Sequence, residues 1–457
     1  MIAQFYGIIL HMNRTLQIIC VAAVLTALSC GPAFAEGKSP ERAYTMEECI
    51  ETGLERSLKL SNARRGEHMA EETIRRIRAQ ALPSLDASST YTRLGEVYSF
   101  PGVDEPFGRE DNYTAGVEAG QLLYSGGGVR AALRAARDYR EFASQDTARQ
   151  KSVLIRDIRQ TFVEALYARK AVEVAEASVE QLAAFEKQAK TRYKNETTSE
   201  FDWLSAQVNL ANEKPKLVQA RNQLELVMTA LKDLVYAEDD DFSITGELEY
   251  RPAKISLEEL NEMADRNRPE LRQAQLNVQM QEENIRVARS DYFPEVRAFA
   301  NYSGTNPGQE EPAVEEWEWG WNAGLTASWS IMDGGLKKAE IRTTRLKRDI
   351  AVTEQEDLRI QIRQEIKNAF LALQHAEEVV LSTQESVALA QKALEIARVR
   401  YDEGLATHLE FADSNLALRS AKLYHYMALK SHQQALAALD YACGVNDLKD
   451  NAEQAGK

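Results

Sequence analysis

After residue 35 the chain contains no run approaching the ~18 to 20 consecutive apolar residues of a membrane-spanning helix. A mature chain that crosses a bilayer must therefore do so as a closed β-barrel. Cysteine is scarce, with four in 457 residues, and two of these fall within the first 35. Cys49 and Cys443 remain near opposite ends of the chain, either as one disulfide or as two lone buried thiols. Positive charge is in deficit, 55 basic against 70 acidic residues for a net charge of -15, which excludes a nucleic-acid footprint. Glycine and proline are missing from Val129 to Lys214, Leu336 to Glu403 and Leu405 to Cys443, which leaves those stretches without a turn signal. Also missing is any catalytic constellation of zincin, nucleophile-elbow or Walker type. The chain reads as a non-enzyme with no cofactor and no metal.

The N-terminus carries a secretory pattern. Arg14 precedes the apolar run Leu16 to Leu28, and Ala33-Phe34-Ala35 supplies a small-x-small cleavage site, so residues 1–35 read as a signal peptide, with Met12 as an alternative start. A lipid-modified alternative exists at Cys30, although Ala27-Leu28-Ser29 places leucine poorly for it.

The mature chain reads as a tandem duplication. Ala81-Leu82-Pro83-Ser84-Leu85 answers Tyr292-Phe293-Pro294-Glu295-Val296 at an offset of 211, and Tyr124-Ser125-Gly126-Gly127 answers Met332-Asp333-Gly334-Gly335 at 208. The second offset persists to Arg192-Tyr193 against Arg400-Tyr401. Expected boundaries are 36–236 for the first repeat, 237–256 for an irregular acidic crossover, 257–443 for the second repeat and 444–457 for a mobile polar tail.

Each repeat contains period-two strands. From Trp321 to Ile331 every odd position is apolar and every even one small or polar, which predicts a strand with one oily and one wet face. Trp321 and Trp329 would lie about 26 Å apart along that strand, and ~20 Å apart when it tilts, close to the height of an outer-membrane apolar band. Tyr113, Ala115, Val117, Ala119 and Leu123 repeat the phase, so Tyr113, Trp321 and Trp329 are the expected aromatic girdle. Partner strands place Leu85, Ala87, Ser89, Tyr91 and Val296, Ala298, Ala300, Tyr302 on the same face. The loops Gly95 to Glu110 and Ser303 to Glu318 read as surface loops.

The helices are far longer than a globular core requires. Val129 to about Lys194 would extend on the order of 100 Å. Ile366, Leu373, Val380, Val387, Leu394 and Tyr401 form one seven-residue stripe, with Ala369, Ala376, Thr383, Ala390 and Ala397 beside it. Ile158, Ala165, Val172, Val179 and Tyr193 run beside Thr161, Ala168, Ala175, Leu182 and Ala189 in the first copy, again as a coiled-coil seam. Breaks at Asn195 to Thr198 and Gly404 to Ala406 fold each helix back on the next, and Pro215 predicts a kink or the end of a segment. Gly126-Gly127-Gly128-Val129-Arg130-Ala131 matches a dinucleotide-loop pattern, but the strand before it alternates and no β-α-β unit follows, so it reads as a strand-to-helix turn. His425 and His432, seven apart on one helix, lack a third ligand and read as surface histidines.

At the helical tips, Ser199-Glu200-Phe201-Asp202 and Thr407-His408-Leu409-Glu410 occupy equivalent positions and read as capping boxes. Asp413 lies one further turn along the face of Glu410, leaving two readings, cap alone or cap with pore lining.

Together these features resemble the TolC-type outer-membrane efflux proteins over almost all of residues 45 to 443. Arg400-Tyr401-Asp402-Glu403-Gly404 running into Leu409-Glu410-Phe411-Ala412-Asp413 is the most specific match. The resemblance implies a periplasmic gate built from Asp202, Tyr401, Glu410 and Asp413. Ala406 stands where the family's best-known member has a basic latch residue, and Glu196 replaces the turn glycine of the first repeat. The implied fold is mixed α and β, mainly α: a long antiparallel coiled-coil α-barrel, with four strands per chain contributing to a trimeric 12-stranded transmembrane β-barrel. The implied function is a passive exit duct in the outer membrane of a Gram-negative bacterium, extending into the periplasm. It would conduct small-molecule or drug substrates from an inner-membrane pump and a periplasmic adaptor, as a homotrimer embedded in outer-membrane lipid. The alternatives are the outer channel of a type I protein secretion system and, from another class, a periplasmic adaptor. An adaptor would carry one hairpin between lipoyl-like strands.

Overall fold

Long helical segments without glycine or proline and short alternating segments fold into two copies of one unit. The structure is a computed structural model that describes residues 43–95, 109–237, 242–252, 255–306 and 316–445. After the short β1 (Ala43–Tyr44), the first copy runs α1 (Met46–Arg56), α2 (Leu58–Ala79), β2 (Ser84–Arg93), β3 (Asp111–Ser125), α3 (Gly128–Lys194) and α4 (Glu200–Val235). Beyond β4 (Ser243–Ile244), the second copy runs α5 (Leu257–Asn267), α6 (Pro269–Ser290), β5 (Glu295–Asn306), β6 (Glu318–Ser328), α7 (Leu336–Asp402) and α8 (His408–Cys443). Helix lengths of 11, 22, 67 and 36 residues recur in both copies.

Local chemistry sets these boundaries. Thr45 with Glu48 and Ser256 with Glu259 form reciprocal capping boxes at equivalent helix starts. Strand turns into helix through paired left-handed glycines, Gly126 and Gly127 in the first copy and Gly334 and Gly335 in the second. A side chain at Gly126 would also meet the Ser290 carbonyl oxygen at 2.5 Å. The glycine run is thus a corner of the fold. At two further turns the copies differ: Glu196 and Tyr236 adopt positive φ of 57° and 54° where the second copy has Gly404 and Gly444.

Of the two outcomes expected at Pro215, a kink or the end of a segment, the second does not occur, since α4 continues through it from Glu200 to Val235. Ion pairs hold the helix on both sides of the proline, from Glu213 to Arg419 and from Arg221 to Glu176.

The four long strands form one antiparallel sheet in the order β2-β3-β5-β6. Register aligns the alternating residues into rows: Leu85, Ala119, Ala300 and Ala323, then Ala87, Val117, Tyr302 and Trp321. Tyr91 and Tyr113 end the sheet on the same face, with ring centroids 5.0 Å apart. A bulge between Leu122 and Tyr124 gives Tyr124, instead of Leu123, the place opposite Val296. The strand read from Trp321 to Ile331 lies three residues earlier, and Trp329 follows its end.

Most positions of the coiled-coil rows are buried, while Thr161, Val179, Tyr193, Ala369, Thr383, Val387 and Ala390 are partly buried. Ile158, Ala165 and Ala189 in α3 have 0% exposure, as does Ile366 in α7. Each copy has its own core at equivalent places, one around Ile158, Phe162 and Leu231 and the other around Ile366, Leu373 and Leu439. Cys49 lies in the first and Cys443 in the second, both as free thiols, and burial pushes each up to about 12.

The crossover runs against the helices. Arg169 donates to the carbonyls of Ile244 and Gly246 at 2.8 and 2.5 Å, and Gln433 donates to Glu249 O at 3.0 Å. Leu248 and Tyr250 pack against Val380, Ala428 and Leu429. This cover corrects the reading of His432 as a surface residue: its exposure is 0%, the Tyr250 ring lies 5.0 Å away and Glu377 Oε1 is 3.9 Å from Nε2. His425 is partly buried, with Nδ1 3.2 Å from Thr383 Oγ1.

Burial holds His432 below the ordinary imidazole value, with Glu377 opposing it. The unfolded chain therefore takes up this proton first, so the contribution is complete above the ordinary value and is lost as pH falls through the folded one. We expect thermal stability to decline as pH falls below the ordinary imidazole value, and His432→Leu to flatten that decline. An unchanged slope in the variant would remove His432 from the account.

The signal peptide with Cys30, residues 96–108 and 307–315 of the two surface loops, and the tail from residue 446 lie outside the described residues.

Candidate functional site: the strand face and the helical tips

Two places carry chemistry that the core does not explain. The first is the apolar face of the sheet. Trp321, Leu85 and Leu325 are exposed by 78%, 75% and 70%. The two edge strands, β2 and β6, each have one unpaired side within the sheet. Trp319 covers Gly304, where a side chain would meet the indole ring at 2.6 Å, and stacks on Tyr302 at 5.2 Å. Trp321 and Tyr113 sit toward this end of the sheet, while Trp329 at the other end donates from Nε1 to Tyr292 O at 3.1 Å. The opposite face is polar, with Asp86, Glu118, Asn301 and Asn322 in one row.

The second place is the meeting of four helical ends. Phe185 and Ala189 of α3, Ala206 of α4, Leu394 and Tyr401 of α7, and Phe411 and Leu418 of α8 form one buried cluster. Phe185 stacks on Phe411 at 4.6 Å and meets Tyr401 at 5.0 Å. Tyr401, expected in the gate, is 7% exposed and forms part of this packing. Burial raises its hydroxyl above the ordinary value, with the charges of Asp202 and Asp402 adding to the shift and Arg192 opposing it.

The acids are placed differently from one another. Asp202 Oδ2 accepts from the Thr198 and Ser199 hydroxyls at 2.9 and 2.8 Å, while Ser199 Oγ caps the Asp202 N–H. Thr407 Oγ1 likewise caps the Glu410 N–H at 3.3 Å, but the Glu410 carboxylate turns to Arg400 Nη1 at 3.6 Å. Asp413 is exposed one turn further along α8.

Arg192 was not singled out from the sequence, yet it joins the two hairpins. Its guanidinium lies 4.8 Å from the Tyr401 ring centroid, Nη1 donates to Tyr401 O at 3.4 Å, and Nη2 is 3.7 Å from Asp402. Gln188 Nε2 donates to Asp402 at 3.2 Å. The visible signal was the repeat itself: Arg400, the counterpart of Arg192, remains within its own hairpin on Glu410, and only a fold distinguishes the two.

A family model described as outer membrane efflux protein matches residues 49–235 and 260–445, on both sides of the crossover. The chain belongs to the outer membrane efflux protein family. It is an outer-membrane protein and an exit duct of tripartite export, in a family of channels rather than enzymes. It is 21% identical over 427 residues to nodulation protein T of Rhizobium leguminosarum bv. trifolii, covering 86% of this chain and 84% of that protein. It is 25% identical over 251 residues to the cation efflux system protein CusC of Escherichia coli, covering 53% of this chain and 50% of that protein. The fold is similar to a crystal structure of CusC, with a TM-score of 0.74 at 15% identity over 91% of this chain and 98% of that one. It is similar also to the outer membrane protein VceC of Vibrio cholerae, with a TM-score of 0.72 at 19% identity over 88% and 96% of the two chains. The family's channels are trimers that pair with an adaptor and an inner-membrane pump.

Proposed function

We propose that three copies of this chain form a passive duct for small-molecule substrates, taking them from a periplasmic adaptor and an inner-membrane pump to the cell exterior. The observation that carries this reading is the sheet, with one face apolar and exposed and two edge strands in a protomer of four long strands. A bilayer tolerates no open edge. Three sheets joined β6 to β2 give twelve strands, satisfy every edge and turn the apolar rows toward lipid. Tyr113 and Trp321 then belong to one aromatic girdle and Trp329 to the other, with residues 36–236 and 257–443 as the two repeats.

The tips serve as the periplasmic gate in this reading. Glu410 and Asp413 lie on one face of α8, and threefold repetition makes them rings of carboxylates that attract cations and repel anions. Asp202 adds its charge from the matching tip, while Tyr401 acts through the buried cluster that holds the four helical ends together. Glu410→Gln combined with Asp413→Asn is expected to lower cation preference in single-channel recordings. Trimer yield should remain, because the cap uses the Thr407 hydroxyl and the Glu410 backbone. Unaltered selectivity with reduced helix stability would assign the acids to capping alone.

A further inference from the structure

The two repeats share one fold but bury different faces. Their helices lie in the row α2, α3, α6, α7: α3 packs on both α2 and α6, α6 packs on both α3 and α7, and α2 and α7 stand at the ends. Leu276 in α6 is fully buried, whereas its counterpart in α2, Arg65, is exposed. Leu346 and Ile350 on α7 are 63% and 58% exposed. Each end of the row thus presents a face whose counterpart inside the row is covered.

The internal junction shows what such a face accepts. Between α3 and α6, Arg134 Nη2 lies 2.8 Å from Glu283 Oε2, and Gln273 Nε2 donates to Phe142 O at 3.3 Å. The offset of 208 carries Arg134 to Arg342 and Phe142 to Ile350, both on α7. The offset of 211 carries Glu283 back to Glu72 and Gln273 back to Asn62, both on α2. Charge and hydrogen-bonding type survive the mapping, with arginine facing glutamate and an amide facing a backbone carbonyl. The second internal ion pair, Arg272 with Glu141, maps onto Ser61 and Asp349 and is not reproduced.

Glu72 is also prepared as Glu283 is. Arg75 lies 2.7 Å from Glu72, three residues along α2, in the way that Arg286 pairs with Glu283 on α6. Glu283 has the additional arginine from α3 and its side chain is 11% exposed, while that of Glu72 is 65% exposed. Arg342 is exposed and has no ion pair among the described residues.

We infer that α7 of one copy packs along α2 of the next in the register of the internal α3–α6 junction, setting Arg342 against the partner's Glu72. The same register sets the Ile350 carbonyl against the partner's Asn62. This rests on the homotrimer reading and specifies its seam. The occupant is a second copy because the helix that complements α2 needs an arginine at the place of Arg134, and α7 is the repeat of that helix. At opposite ends of the row, the two faces have no route to each other within one chain.

The test is chemical cross-linking of the full chain in outer-membrane vesicles. Glu72→Cys and Arg342→Cys, combined in one chain and treated with a short bis-maleimide, should give covalent two- and three-chain species on denaturing gels. Each single variant should give none, and the in-chain control Arg134→Cys with Glu283→Cys should remain one chain. In parallel, Glu72→Arg and Arg342→Glu should each lower the temperature at which trimers dissociate in detergent, and their combination should restore it. Wild-type trimers with neither covalent species nor charge-swap rescue would overturn the register while leaving the homotrimer intact. Absence of wild-type trimers would overturn the reading on which the register rests.

Discussion

Arginine at Leu325 is expected to abolish trimer assembly, whereas arginine at Asn322, three residues away on the other face of β6, should leave it largely intact. Leu325 stands in the apolar row opposite Ala298, between the tryptophans at the two ends of the strand, and is 70% exposed in the protomer. A charge on the lipid face at mid-bilayer costs ~2 to 4 kcal/mol, and a trimer carries it three times. Asn322 instead shares its row with Asn301 and Glu118, where a cation gains a carboxylate neighbour. Thr326 is a poorer control, because Arg297 lies directly opposite. The measurement is the fraction of chains recovered as trimers from outer membranes. Equal losses for Leu325→Arg and Asn322→Arg would reverse or erase the assignment of faces.

The second large effect is expected at Glu213. This residue is 5% exposed on α4 and pairs with Arg419 of α8 and Lys216 of its own helix, joining the shorter helices of the two hairpins. The pair also steadies α4 beside Pro215, where the missing N–H removes one helical hydrogen bond. Replacing Glu213 with Leu leaves Arg419 with a side chain only 16% exposed and no carboxylate partner there. The expected loss is about 3 to 5 kcal/mol, and adding Arg419→Met should recover most of it. Burial pushes the Glu213 carboxyl up, but hydrogen bonds and charge from Arg419 and Lys216 outweigh it and hold the group below its ordinary value. Its contribution is therefore complete above the ordinary carboxylate value and is lost as pH falls through the folded one. Denaturant unfolding across that acidic range should show the slope in wild type and a smaller one in the double variant. A double variant as weak as Glu213→Leu would count against the pair as the source of the effect.

Most of the architecture was legible because it rests on periods and absences. Alternation from Trp321 onward identified the apolar face, and the register of β5 and β6 places Tyr302 opposite Trp321 and Ala298 opposite Leu325. The lack of glycine and proline predicted α3 and α7, and the seven-residue stripes predicted Ile158 and Ile366 at the centres of their cores. Positions that depend on distant chain were not legible. His432 has the local sequence of a surface histidine, but the crossover returns Tyr250 across it. Arg192 and Arg400 are repeat counterparts, yet one crosses to Asp402 and the other pairs with Glu410 in its own hairpin. Leu123 lost its place in the alternation to a bulge, a backbone event with no side-chain signature. Glu196 and Tyr236 hold left-handed conformations that their residue types do not announce, where the second repeat uses glycine.

Planar-bilayer recording from purified full chain, whose mass in mild detergent has been determined, tests whether incomplete sheets assemble into a passive membrane duct. The expected result is a three-chain particle that requires detergent for solubility and gives discrete ionic steps with no nucleotide present. A single-chain particle that remains in aqueous buffer and gives no steps would contradict it.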